Sequence, residues 1–277
     1  MSYIIRGKDA HSRWPIDRDS LIDDAMTMQV SHLPPNTQAS FAPSSLTTPK
    51  FILAHIYLTP LAQIAGSDTS YSALVHIFYY LATHPHLQSQ LHAEVSPALS
   101  PNSPPDWSAL STVPLLDAII TETLRMHPPV PMGLTRETPV LPSGQPTKVG
   151  PYLVPGETML SIPTWTIQHD ERYFEKPHEW VPERWTSRPE MVKDRRAYLP
   201  FSMGRTVCAG KYFALMEMKV VVAKVVGEFE IGFPKGEEEK EGRYGKEGEP
   251  EWLKGNKDFF TLWLPELRLC LVPRVRR

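Results

Sequence analysis

Cys208 sits in Phe201-Ser202-Met203-Gly204-Arg205-Thr206-Val207-Cys208-Ala209-Gly210, directly ahead of a long apolar run. A cysteine at the start of a helix makes a good thiolate, because free backbone N–H groups and the helix dipole stabilise negative sulfur. Gly204 permits a tight turn, and Gly210 leaves the backbone open to a flat ligand. A lone cysteine is ordinarily an inert buried residue. The glycine frame sets Cys208 apart, whereas Cys270, in an apolar strand, reads as the buried and inert kind. Asp68-Thr69 follows the small pair Ala65-Gly66 and offers a carboxylate and a hydroxyl that can relay protons. Standing alone, such a threonine would bond back to its own helical turn. Glu122 and Arg125 lie at i,i+3 on one helix face, the spacing of an ordinary surface pair. Pro182-Glu183-Arg184-Trp185 supplies a further guanidinium. His84 and His86 flank Pro85 and read as surface residues.

These residues need elements to hold them. Residues 16–29 read as a capped helix. A helical pattern resumes at Ile64 and runs to about Thr83, before His84-Pro85, and a second helix covers about 86–95. Residues 97–114 are Pro/Ser-rich and read mostly as loop. Leu116, Ile119, Ile120 and Leu124 form one stripe of a helix over 115–126 that Pro128 and Pro129 stop. Tyr152-Leu153-Val154, Pro155-Gly156 and Thr158–Ser161 read as a hairpin. Residues 209–226 read as a buried apolar helix, 235–251 as a solvated charged loop, and the C-terminal FFTLWL and LRLCLV as a strand pair. Between the first two helices, residues 30–63 hold five prolines and Lys50 as their single formal charge. Each interior proline costs a helix about 3 kcal/mol, so no helix is expected through the whole segment.

Composition excludes several classes. Lys+Arg number 29 against 31 Asp+Glu among 277 residues, which argues against a polybasic nucleic-acid binder or an acidic tail protein. Two cysteines exclude a disulfide scaffold and a four-cysteine zinc module. No apolar run reaches the roughly 18 residues of a membrane span, so no membrane anchor is expected in this chain. Prolines number 29, about twice the usual share, while aromatics at 10% argue for a globular chain with proline-punctuated connections.

The segment around Cys208 resembles the haem-binding loop of the cytochromes P-450, Phe-x-x-Gly-x-Arg-x-Cys-x-Gly, with Phe201, Gly204, Cys208 and Gly210 matching in identity and spacing. The family's arginine two before the cysteine is Thr206 here, with Arg205 beside it. Three more stretches resemble the family in its order: Ala65-Gly66-Ser67-Asp68-Thr69 its oxygen-activation helix, Glu122-Thr-Leu-Arg125 its Glu-x-x-Arg, and Pro182-Glu183-Arg184 the segment whose arginine joins that pair. The resemblance implies a mainly α fold with small β sheets, here the C-terminal part of the cytochrome P-450 fold. It implies haem (iron protoporphyrin IX) as cofactor, with Cys208 as the axial iron ligand. Phe201, Gly204, Arg205, Gly210 and Arg136 then bind the cofactor, Arg136 and Arg205 as propionate candidates. Asp68 and Thr69 handle protons, and Glu122, Arg125 and Arg184 hold the haem-side core. Val130, Met132 and Leu134 match the family's pocket-lining stretch but read as packing residues. Trp14-x-x-x-Arg18 spells a propionate motif but contains Pro15 and precedes the oxygen-activation helix, so it reads as coincidence.

The activity implied is insertion of one oxygen atom from O2 into a small organic substrate, in fungal secondary-metabolite biosynthesis. Electrons would come from an NADPH-cytochrome reductase, docked on the basic stretch 184–211. Members of this type are usually anchored to the endoplasmic reticulum. The competing readings are a truncated, inactive fragment of the family and a haem-free helical interaction module. The family's domain is nearly twice this length, so the chain is expected to be N-terminally truncated and to retain haem weakly. Deleting 30–63 joins Gln29 to Ile64 in one continuous helical pattern. The segment therefore reads as a non-family insert translated from a retained intron, one that would split the helix just ahead of Asp68.

Overall fold

The computed structural model describes residues 49–100, 105–142, 144–235 and 251–274. The expected helix over 16–29, Trp14, Arg18 and the charged stretch 236–250 lie outside them. Two compact units divide the chain, Met1–Ser67 and Asp68–Arg277. Helix α1, Pro49–Thr83, runs across the boundary. Its start differs from the expected Ile64. Pro49 stands at a first helical position, where its missing N–H costs nothing. The apolar stretch Phe51–Leu58 continues the helix, and Pro60 is carried inside it at the cost of one ladder bond. Among the described residues the helix is therefore unbroken ahead of Asp68.

The second unit holds the remaining elements. Helix α2 is Pro85–Val95, entered through a proline as α1 ends at Thr83. The described residues of the loop that follows include a short helix, α3 Trp107–Leu110, which the sequence pattern did not show; Asp106 caps it by accepting from the Ser108 and Ala109 amides. Helix α4 is Pro114–Met126. Strands β1 Arg136–Glu137, β2 Thr147–Val149, β3 Tyr152–Val154 and β4 Met159–Leu160 precede α5, Thr164–Gln168. Short 3-10 turns then lead to α6, Lys211–Glu228, followed by β5 Phe229–Gly232. The last elements are α7 Glu251–Lys254, β6 Lys257–Phe259, β7 Thr261–Trp263 and β8 Cys270–Pro273.

Strand partners correct two expectations. Tyr152–Val154 pairs back with β2, and Met159–Leu160 pairs with Arg136–Glu137 in β1, so the expected hairpin between them does not form. The turn lies instead at Gly150-Pro151, between β2 and β3. At the C-terminus β7 pairs with β6, while β8 pairs with β5, so the two apolar runs are not partners. Alternating apolar residues mark a strand without naming its neighbour.

The core forms where the α4 stripe Leu116, Ile119, Ile120 and Leu124 meets Met218, Val222, Ala223 and Val226 of α6, together with Ile77 and Leu81 of α1 and Leu91 of α2. Buried Gln88 ties three elements together. Its amide donates to the carbonyls of Leu81 and Ile231 at 3.0 and 2.9 Å, and its oxygen accepts from the Ile231 amide at 2.8 Å. Two further expectations fail on burial. Only the C-terminal half of α6 is covered; Tyr212 and Phe213 are 76% and 66% exposed. Apolar composition shows that a helix lacks a polar face but does not say which turns are covered. Cys270 is exposed rather than buried, because β8 lies at the outside of a two-stranded sheet.

Candidate functional site

The Cys208 loop closes on itself by main-chain bonds. The Cys208 amide donates to the Phe201 carbonyl at 2.8 Å, and that of Val207 to Gly204 at 3.3 Å. Gly204 has φ +72°, a conformation that favours glycine, and Ser202 holds φ +61° without that excuse. Gly210 is the N-cap of α6 and accepts from the Ala214 amide. Its backbone needs no glycine, but a Cβ there would stand 3.8 Å from Cys208 Sγ, beside the thiol. The thiol itself is exposed. Arg205 is exposed and Phe201 half-buried against the core.

Arg136, on β1, comes to this loop. Its guanidinium donates to Thr206 Oγ1 at 2.6 Å and Ser202 Oγ at 3.0 Å. Asp68 and Thr69 stand on α1, the carboxylate exposed and the threonine half-buried. Met132 and Leu134 are 55% and 45% exposed, so they do not serve as packing residues; the turn that carries them leads out to β1. His86 is exposed, but His84 is half-buried. Its ring lies 4.8 Å from that of Trp180 and its Nδ1 bonds the Tyr80 carbonyl, so it belongs to the packing around Tyr80.

The structure brings Glu122, Arg125 and Arg184 together with no side-chain exposure at any of the three. Arg125 lies on α4 with Glu122 and donates to both of its oxygens at 2.9 Å. Arg184 reaches Glu122 from the 3-10 turn Pro182–Trp185, also at 2.9 Å. Two further donors were not foreseen: the Val181 amide at 2.9 Å and the Trp185 indole at 2.8 Å. The sequence signal for Trp185 was only its place next to Arg184. The guanidinium groups donate further to the carbonyls of Gln168, Pro177 and Glu179 from Arg125, and of Glu175, Lys176 and Glu179 from Arg184. Two cations around one anion are thus completed by backbone dipoles, which is what a buried charge requires. The cluster joins α4 to the long irregular stretch that ends in the Cys208 loop.

The basic stretch 184–211 is partly spent within the molecule. Arg184 is buried in the cluster, Arg196 pairs with Asp194, Arg188 approaches Glu190, and Arg195 lies over the Trp185 ring. Lys193 donates to the Glu171 carbonyl at 2.8 Å, and its side chain and that of Arg205 are exposed.

The donor set suits a haem. Cys208 offers a soft, accessible sulfur, Tyr212 and Phe213 expose aromatic surface in the first turn of α6, and Arg136 brings a cation to the same loop. Sulfur for iron, apolar surface for the macrocycle and a cation for its carboxylates are the needs of that group. Among the described residues no cluster of three or more His, Cys, Asp or Glu could hold a bare metal ion, and no helix is long and apolar enough to cross a membrane.

Comparison with known proteins agrees. The family model described as Cytochrome P450 matches residues 55–246. The match takes in the last nine residues, 55–63, of the stretch read as an insert. The chain is 39% identical over 214 residues to the cytochrome P450 monooxygenase orf5 of Eupenicillium brefeldianum, covering 77% of this chain and 40% of that one. It is 32% identical over 212 residues to the cytochrome P450 monooxygenase eupD of a Phoma species, covering 76% and 68%. Among solved structures, a zebra fish cytochrome P450 determined with progesterone superposes with a TM-score of 0.61 at 25% identity, covering 77% of this chain and 44% of that one. The chain spans about two-fifths of the length of the first of these relatives. With the family model spanning both the Glu122 cluster and the Cys208 loop, and a relative matched over two-thirds of its own length, this chain belongs to the cytochrome P450 family.

Proposed function

We propose that the protein is a haem-thiolate monooxygenase acting on a small organic substrate in fungal secondary metabolism. The observation that carries this reading is the accessible Cys208 thiol, held by a closed backbone loop with Arg136 bonded alongside. Cys208 would hold the iron as thiolate, and Arg136 and Arg205 would meet the carboxylates. When bound, haem supplies the redox-active iron at which O2 is reduced, with one oxygen atom passing to the substrate and the other leaving as water.

Two electrons and two protons balance that reaction. The electrons would come from NADPH through a reductase, an acidic partner for the basic stretch 184–211, where the Lys193 side chain is exposed, by charge complementarity. Protons would pass through the Asp68 carboxylate and the Thr69 hydroxyl on α1. Glu122, Arg125 and Arg184 keep the stretch before the Cys208 loop in place and take no part in the chemistry.

The test is the spectrum of the haem-loaded protein, reduced and exposed to CO. A red-shifted Soret band that disappears in Cys208→Ala supports the reading. An unshifted band means haem held without Cys208, and no band favours a protein without haem. Survival of the shifted band in Cys208→Ala refutes the ligand assignment.

A further inference from the structure

The Arg136 side chain joins parts of the chain 70 residues apart. Its Nη2 donates to Thr206 Oγ1 at 2.6 Å and Ser202 Oγ at 3.0 Å, and its Nη1 to the carbonyls of Leu134 and Thr135 at 3.1 and 3.2 Å. These four bonds match the four hydrogens on its terminal nitrogens, so a ligand carboxylate would meet the clamped guanidinium through its Nε–H and its charge. One end of the guanidinium is therefore anchored to β1 and its approach, and the other grips the loop. Thr206 lies two residues before Cys208, and Ser202 is the non-glycine residue held at φ +61°. A non-glycine residue in the left-handed region is costly to hold, and the Arg136 bond to Ser202 ties the loop from outside.

Thr206 stands where the resembled loops carry arginine, and in this chain the loop contributes hydroxyl acceptors to Arg136 instead.

We propose that Thr206 is a positioning residue: its hydroxyl, with that of Ser202, clamps Arg136 against the Cys208 loop and presents thiol and cation as one preformed unit. The inference deepens the haem-binding reading above and rests on it for the identity of the ligand. Preorganisation of this kind acts on affinity, because the cost of ordering the loop is met before the ligand arrives.

Two readouts test it. In the haem-free protein, trypsin cleaves after exposed Arg205 at a rate set by opening of the loop. Thr206→Val keeps the side-chain shape and removes the acceptor; a bond to a charged group is worth about tenfold or more in such an equilibrium, so about tenfold faster nicking is expected. Thr206→Ser keeps the hydroxyl and should be nicked at the native rate. In haem titrations Thr206→Val should bind about tenfold more weakly, and Thr206→Ser as the native protein does. The reduced CO band should keep its position in both, since Cys208 is untouched. Native-rate nicking of Thr206→Val, or native haem affinity in that variant, overturns the clamp. Faster nicking of Thr206→Val with no haem uptake by the native protein supports the clamp and removes the haem reading.

Discussion

Glu122→Gln is the most informative perturbation of the fold. The carboxylate accepts five hydrogen bonds of 2.8–2.9 Å: two from Arg125 and one each from Arg184, the Val181 amide and the Trp185 indole. A glutamine at this site keeps one oxygen. Its amide nitrogen must replace the other, so it turns N–H groups toward at least two donors that were satisfied. If the nitrogen takes the Oε2 position, Arg125 Nε and the Trp185 indole lose their acceptor; at Oε1, three donors do. Each orphaned buried donor costs about 1–3 kcal/mol. The substitution also leaves two buried guanidinium groups without a counter-charge. Breaking a buried ion pair in this way typically costs about 3–5 kcal/mol. At about 2–4 °C per kcal/mol for a chain of this size, the melting temperature should fall by roughly 10 °C. Tryptophan fluorescence during thermal unfolding reads this directly, with Trp180 and Trp185 at the cluster. The control is Glu179→Gln, which breaks another i,i+3 pair, Lys176–Glu179, with both side chains more than half exposed. Exposed pairs contribute about 0–1 kcal/mol, so that variant should melt within a few degrees of the native protein. Equal losses in the two variants, or a shift under 2 °C for Glu122→Gln, would refute the argument from burial.

Acid should weaken the fold through His76 and His127, whose rings stack at 4.2 Å in the interior. Burial pushes His76 down to about 4, and burial together with the charges of His76, His169 and Arg125 pushes His127 well below its ordinary value. Both folded values lie below the unfolded one, so their contribution is complete above about pH 6.5 and falls as the pH drops toward 4, by up to 1.36 kcal/mol per unit per ring; a melting temperature that is the same at pH 7 and pH 5 would contradict this, and His127→Gln should flatten the dependence. Gln88→Leu should cost about 3 kcal/mol in denaturant unfolding, because it orphans the Leu81 and Ile231 carbonyls and the Ile231 amide while preserving volume. Sequencing of the mature transcript tests the reading of 30–63 as a translated intron; codons found there would overturn it and make the helical stretch from Pro49 to Gln63, whose last nine residues lie within the family match, part of the working protein.

Helices were legible wherever local signals bounded them. Pro85 and Pro114 open α2 and α4, and the stripe Leu116, Ile119, Ile120 and Leu124 meets the core as its spacing requires. The start of α1 was not legible, because proline counting over 30–63 hid an apolar stretch that tolerates Pro60. Strand pairing failed for a different reason. Met159–Leu160 pairs with Arg136–Glu137 and Cys270–Pro273 with Phe229–Gly232, and nothing local distinguishes those partners from nearer ones. The exposure of Cys270 and of the first turns of α6 was not legible, because composition carries no information about what covers a surface.

The amino-acid sequence by itself determined the chemistry available: a thiol in a glycine-framed loop, a carboxylate-hydroxyl pair, and the charged residues at 122, 125 and 184. Residue type and short spacing are local properties, and they survive without a fold. Only the tertiary structure decided that Glu122–Arg125 is buried while Lys176–Glu179, with the same spacing, lies in solvent. It alone brought Arg136 across 70 residues to Thr206. The strength of a charge or hydrogen bond depends on how far water is excluded from it, and exclusion of water is set by neighbours distant in the chain.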